Sequence, residues 1–216
     1  GVELIAPRAF YENTKINSVN LPESVWYVGA NAFNGCTNAL ITVPKIAGSL
    51  TLGENAFKGV NSVRYTDISS HTNGNDTFYY NLNSEGNAVI VDCETSSANI
   101  TIPQELGGYK VTEIGFKGMA ECTSLIGITI PSTITLINSF AFYKCSNITT
   151  VTIPSTVKTI GTYAFYGCSN LKTVTIANGL ETIGYAAFQY CSAMEEITLP
   201  QSLTAIDGYA FCSCTA

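Results

Sequence analysis

The 216 residues carry ten Lys plus Arg against sixteen Asp plus Glu, a net charge of −6, and are 46% hydrophobic but only 12% charged. A chain of this length buries a substantial core, in one large domain or two small ones. Singly scattered cations speak against nucleic acid and anionic lipid, which need clustered basic patches, and no apolar run approaches the ~20 residues of a membrane helix. The opening GVELIAPRAF shows no basic segment leading into an apolar one, so no signal peptide is read in it.

In chain order, residues 1–65 form a first array. The aromatic of its AF pairs stands at Phe10, Phe33 and Phe57, with gaps of 23 and 24. After an interruption at 66–98, a second array fills 99–216. It carries Met119, Phe142, Phe165, Phe188 and Phe211 at a constant gap of 23, so the chain holds eight units. Other columns keep the register. Five residues before the anchor stand Ile5, Val28, Ile114, Ile137, Ile160, Ile183 and Ile206, and a glycine often follows, as in Gly29, Gly115, Gly161 and Gly184. The consensus is L-x-x-V-x-I-P-x-x-V-x-x-I-G-x-x-A-F-x-x-C-x-x.

V-T-I-P alternates β-branched residues and ends in proline, which cannot continue a ladder; this predicts a short strand. I-G-x-x-A-F-x-x-C spaces apolar residues three or four apart around a glycine, which predicts a helical or 3₁₀ turn. One such unit cannot bury its own apolar face, but stacked units share a continuous core. The expected class is therefore an α/β repeat solenoid, one short strand plus a helical or 3₁₀ turn per ~23-residue unit, with an inserted β-hairpin.

Within the interruption, SSHTNGND (69–76) reads as a polar loop and hinge, and TFYYNL and NAVIVDC flank NSEG as a β-hairpin expected to pack on the solenoid. Residues 1–216 are read as a single domain, with a seam between two short arrays as the other possibility. The chain starts inside a unit and stops before the next strand, so both ends are expected to continue in a longer protein.

The motifs L-x-x-V-x-I-P and I-G-x-x-A-F-x-x-C resemble the leucine-rich repeats of the BspA-like (Treponema-type) surface-protein family. The resemblance covers about residues 2–65 and 99–216, and the restart ITIPQELGGYKVTEIG after a Tyr-rich hairpin is similar as well. It implies a leucine-rich-repeat solenoid exported to a microbial cell surface and used for adhesion or protein binding.

Three residues after each anchor stand Asn13, Cys36, Val60, Cys122, Cys145, Cys168, Cys191 and Cys214. Valine can neither ligate, attack nor crosslink, and free cysteine packs as a small buried hydrophobe, so the column reads as core. Disulfides between rungs are awkward because strands stand ~4.8 Å apart while a bridge wants Cβ atoms near ~3.8 Å. Zinc would need CxxC clusters or histidines, and the chain has one histidine, His71. Cys93 and Cys212 lie outside the column; Cys212 is expected to be an exposed free thiol.

No catalytic constellation emerges. His71 lies in the predicted loop, and the adjacent Glu195 and Glu196 would point to opposite faces of a strand. Asp67, Asn73, Asn75 and Asp76 could suggest calcium but miss the loop spacing, and a plain solvated loop is the other reading. Asn75, Asn99 and Asn147 head N-x-T sequons. No cofactor or metal is expected.

A partner would meet the residues that alternate with inward Val and Ile: Gly127 with Thr129, Thr150 with Thr152, Thr173 with Thr175, and Glu196 with Thr198. Threonine also simply suits exposed strand positions. A second candidate is aromatic: Phe140, Tyr163 and Tyr209, with Tyr143, Tyr166, Tyr185 and Tyr190, either as contact area or as stacking between rungs. The expected function is a non-catalytic cell-surface module binding a protein or extracellular-matrix ligand, with no nucleic acid and no membrane insertion. The alternative is a structural spacer of a larger surface protein.

Overall fold

The computed structural model describes residues 2–22, 25, 27–43, 50–65 and 68–215. They form two compact units, Gly1–Ile68 with Asn81–Glu85 and Ser69–Tyr80 with Gly86–Ala216. Among the described residues there are strands and turns but no helix.

In the first unit the strands are β1 (Leu4–Ile5), β2 (Ser18–Asn20), β3 (Tyr27–Val28), β4 (Leu40–Val43), β5 (Thr51–Leu52) and β6 (Ser62–Tyr65). They make two three-stranded parallel sheets, β1-β3-β5 and β2-β4-β6. Each rung therefore contributes two strands, where the sequence predicted one. The additional strand is only two residues long, too short for alternation to announce it.

Beyond β6 the chain forms β7 (Ser69–Asn73), β8 (Asp76–Leu82), β9 (Ala88–Thr95), β10 (Asn99–Thr101), β11 (Glu105–Leu106) and β12 (Tyr109–Ile114). It continues through β13 (Gly127–Thr129), β14 (Leu136–Ile137), β15 (Thr150–Ile153), β16 (Thr159–Ile160), β17 (Thr173–Ile176), β18 (Thr182–Ile183), β19 (Glu196–Thr198) and β20 (Ala205–Ile206). A parallel sheet runs β10-β13-β15-β17-β19, and a mixed sheet runs β20-β18-β16-β14-β12-β9-β8-β7. The expected hairpin is present, with β8 and β9 as hydrogen-bonded neighbours.

The segment 69–76, expected as a loop, is instead mostly strand. β7 pairs antiparallel with β8, from Ser69↔Tyr80 to Asn73↔Asp76, across a tight turn at Gly74 (φ 63°). All five β7 residues are exposed, so nothing apolar marks the strand in sequence.

The A-F-x-x-C half is a chain of overlapping β-turns rather than the expected helical or 3₁₀ turn. In the rung around Phe142, the N–H groups of Ala141, Tyr143 and Cys145 donate three residues back, to Asn138, Phe140 and Phe142. Those of Phe140, Phe142 and Lys144 donate instead to the next rung, to the Thr162, Ala164 and Tyr166 carbonyls at 2.9, 2.7 and 2.7 Å. A helix would use each N–H on its own i−4 carbonyl; here alternate ones join neighbouring rungs. Left-handed residues two before and two after the anchor make this possible, such as Phe140 (φ 60°) with Lys144 (φ 55°) and Tyr163 (φ 57°) with Gly167 (φ 71°). Positive φ at the third place of a turn is the type II geometry. A non-glycine residue there costs roughly 1–2 kcal/mol, offset by the bonds between rungs.

The core follows the columns. Phe33, Phe57, Phe142, Phe165 and Phe188 are fully buried, and Met119 replaces the ring in its rung. In the second unit Phe142–Phe165, Phe165–Phe188 and Phe188–Phe211 stack at 4.9, 5.0 and 5.4 Å. The glycine column keeps the rungs close: a Cβ on Gly184 would sit 2.8 Å from the Gly161 carbonyl carbon. Proline ends the threonine strands by withholding an N–H. Where Ala177 replaces it, that N–H bonds the Ile153 carbonyl at 3.0 Å.

Candidate binding face

The second unit's β10-β13-β15-β17-β19 sheet carries the candidate threonines. In β15 and in β17 exposure alternates strictly, with Thr150, Thr152, Thr173 and Thr175 outward and Val151, Ile153, Val174 and Ile176 buried. Register aligns Thr150↔Thr173↔Glu196 and Thr152↔Thr175↔Thr198. Thr101↔Thr129 extends the second column toward β10. Thr101, Thr129, Thr152, Thr175 and Thr198 are all exposed, a line of hydroxyls on successive strands. Thr101 was not among the sequence candidates, although it stands in the NIT of the restart. The spacing from Ile100 to Ile128 is 28 residues rather than 23, which hid it.

The aromatic candidates divide. Tyr163 is only 5% exposed, its ring 5.0 Å from Phe140 and 5.7 Å from Tyr185. It joins the stack between rungs, one of the two roles the sequence offered for it. Tyr166 is half-buried, stacked on Tyr143 at 5.3 Å with 15° between planes. Tyr190 and Tyr209 are exposed at 48% and 61%.

Four thiols of the cysteine column are dry, while Cys122 and Cys214 are half-buried. Cys36, Cys145, Cys168 and Cys191 are fully buried free thiols. Their sulfurs donate to carbonyls of the preceding rung: Phe10 (2.8 Å), Met119 (2.9 Å), Phe142 (3.2 Å) and Phe165 (3.2 Å). Burial pushes the Cys168 thiol up to about 12, and burial likewise raises Cys191. Such thiols are poor nucleophiles and poor ligands. Cys93 is buried, with its thiol also raised by desolvation, and Cys212 is exposed.

The remaining candidates are dispersed. His71 lies on exposed β7 opposite Phe78. Glu196 sits in the threonine register, whereas Glu195 pairs with Lys172 at 3.8 Å. Asp76 Oδ1 accepts the Thr95 and Ser97 hydroxyls at 2.5 and 2.7 Å, tying the start of β8 to the end of β9. Asn73 pairs with Asp76 in the β7–β8 ladder, Asn75 is at its turn, and Asp67 lies outside the described residues. Asn147 Nδ2 donates to the Thr123 carbonyl at 2.8 Å. Among the described residues no three His, Cys, Asp or Glu converge as they would on a metal ion.

The fold and its columns define a leucine-rich-repeat β-solenoid. The profile of the BspA type leucine rich repeat region matches in six copies over residues 1–91 and 91–216, and the chain belongs to that family. It is similar to a leucine rich repeat protein of T. pallidum, 26% identical, with a TM-score of 0.61 over 63% of this chain and 64% of that one. The chain thus spans less than two thirds of that relative. A leucine-rich repeat protein of Bacteroides capillosus is also 26% identical, over 64% of this chain and 88% of that one, with a TM-score of 0.43. A leucine rich cell surface protein of Faecalibacterium prausnitzii is 20% identical over 88% and 61%, with a TM-score of 0.45. No curated protein matches the chain.

Proposed function

We propose that this chain is a non-catalytic binding module of a microbial cell-surface protein, recognising a protein or extracellular-matrix ligand through the threonine-bearing sheet of the second unit. One observation carries the reading: five exposed threonines stand on five successive strands, paired Thr101↔Thr129 and Thr152↔Thr175↔Thr198, above Val and Ile that are buried in all but the last strand. β-branched side chains are stiff at χ1, so ordering these hydroxyls against a ligand costs little entropy. Each hydroxyl both donates and accepts. Thr150, Thr152, Thr173, Thr175, Glu196 and Thr198 form the centre of the face, and the half-buried Tyr166 belongs to the second, aromatic candidate on the turns. Membership of the BspA type repeat family supports surface display, and the buried thiols support the non-catalytic reading.

The test is retention on a panel of immobilised extracellular-matrix proteins. The parent chain is retained by at least one of them, and combining Thr152→Lys, Thr175→Lys and Thr198→Lys lowers that retention at least tenfold. Equal retention of parent and triple variant, or none by either, removes the binding reading and leaves a spacer.

A further inference from the structure

A second surface of the same unit is built from the turns. A cavity of about 530 Å³ is lined by Glu121, Thr123, Lys144, Ser146 and Gly167. These belong to three successive rungs. Glu121, Lys144 and Gly167 hold the left-handed place two after the anchor, and Thr123 and Ser146 the place four after it. Across the stack the cavity therefore spans two strand spacings, or roughly 10 Å.

Its charges are held apart. Two other Lys/Glu couples of this array, also one 23-residue repeat apart, close into ion pairs: Lys158–Glu181 at 3.1 Å and Lys172–Glu195 at 3.8 Å. Glu121 and Lys144 share one column at the same separation, yet no ion pair joins them among the described residues. Lys144 Nζ instead stands 5.2 Å from the centroid of the Tyr143 ring, a cation–π contact. Glu121 is exposed; burial lowers the Lys117 pKa, and the Glu121 carboxylate offsets part of that. Glycine at 167 removes the side chain from the third rung, and the next residue in the column is the exposed ring of Tyr190.

We propose that this cavity is a subsite for a short neutral oligosaccharide. A carboxylate that only accepts, an ammonium that only donates and two hydroxyls that do both match the mixed donors and acceptors of vicinal sugar hydroxyls. The lining sums to zero formal charge, so it gives no net attraction to a ligand carrying a single charge. It contains no aromatic or aliphatic pocket of the kind that anchors a protein side chain. Its volume lies within the ~300–1,000 Å³ of small-molecule sites. Tyr190, one rung beyond the glycine notch, offers a face for the apolar side of a pyranose ring. The site is separate from the threonine face and does not depend on it.

An array of neutral and acidic oligosaccharides probed with the full chain tests this. The expected result is retention of neutral members in preference to sialylated or sulfated ones. The best neutral binder then loses at least tenfold in affinity with Glu121→Gln and with Lys144→Met, both at exposed side chains that leave the melting temperature unchanged, and keeps its affinity with Thr175→Lys. Thr123→Val provides a further arm with the charges intact and is expected to weaken binding at least threefold. The proposal is overturned by no retention, by retention of acidic members alone, by affinity that survives both charge substitutions, or by competition from glycylglycine, which would assign the open pair to peptide termini.

Discussion

The two halves of each repeat in the second unit use the same stacking to opposite ends. In the turn half, stacking brings Phe142, Phe165, Phe188 and the thiols of Cys145, Cys168 and Cys191 into a column with no solvent contact. In the strand half, the same spacing lines Thr152, Thr175 and Thr198 up in solvent. The difference lies in what alternation offers. A strand has an outward side at every second residue, whereas the turn sends alternate N–H groups to the next rung and its anchor ring inward. Repetition therefore fixes an interior on one half and a regular surface on the other.

The sharpest way to break this contrast is to remove a ring from the turn column. Phe165→Ala deletes a fully buried side chain stacked on both neighbours and is expected to cost about 3–5 kcal/mol in urea unfolding. A loss under about 1 kcal/mol would mean that the column is not the core. Raising the pH attacks the thiols next. The Cys168 thiol stays protonated in the fold up to about 12, while in the unfolded chain it ionises near its ordinary 9.0. Protons leave the unfolded state first, so stability present below pH 9 declines between pH 9 and 12, by up to about 4 kcal/mol for this group. Cys168→Val, the residue the column already uses at Val60, should flatten that decline in unfolding curves at pH 8, 10 and 11.5. An unchanged slope would show that the thiol is wet.

Smaller effects sharpen the comparison. Asp76→Ala frees the Thr95 and Ser97 hydroxyls and should cost about 1–3 kcal/mol, with hydrogen exchange quickening in β7 and β8. Thr175→Lys lies on the outward side and should move stability by less than about 0.5 kcal/mol. A cost above 1 kcal/mol would mean that this face is packed.

The columns were legible because each keeps one dominant residue type at a nearly fixed period, and Cys168 as dry filler followed from Val60 in the same column. The turn conformation was not legible. Phe140, Lys144 and Tyr163 adopt left-handed backbone that their side chains disfavour, and only Asn31, Asn55, Gly35, Gly59 and Gly167 hint at it. β7 escaped notice because an edge strand exposed on both faces has no apolar alternation. The candidate threonines could be read from alternation alone. Tyr163 could not be placed, since an aromatic at a turn reads equally as contact or as stack until its neighbours Phe140 and Tyr185 are known. The open Glu121 and Lys144 couple was invisible for a similar reason: its spacing equals that of the closed pairs, and only the lean of Lys144 toward Tyr143 separates them.

The most direct measurement compares the two halves within one molecule: maleimide labelling of a Thr175→Cys variant at pH 8, read by peptide mass spectrometry. The added thiol and Cys212 should label within minutes, while Cys168, seven residues before the substitution, stays unmodified until denaturant unfolds the chain. Labelling of Cys168 at the rate of the added thiol, or protection of the added thiol, would contradict the account.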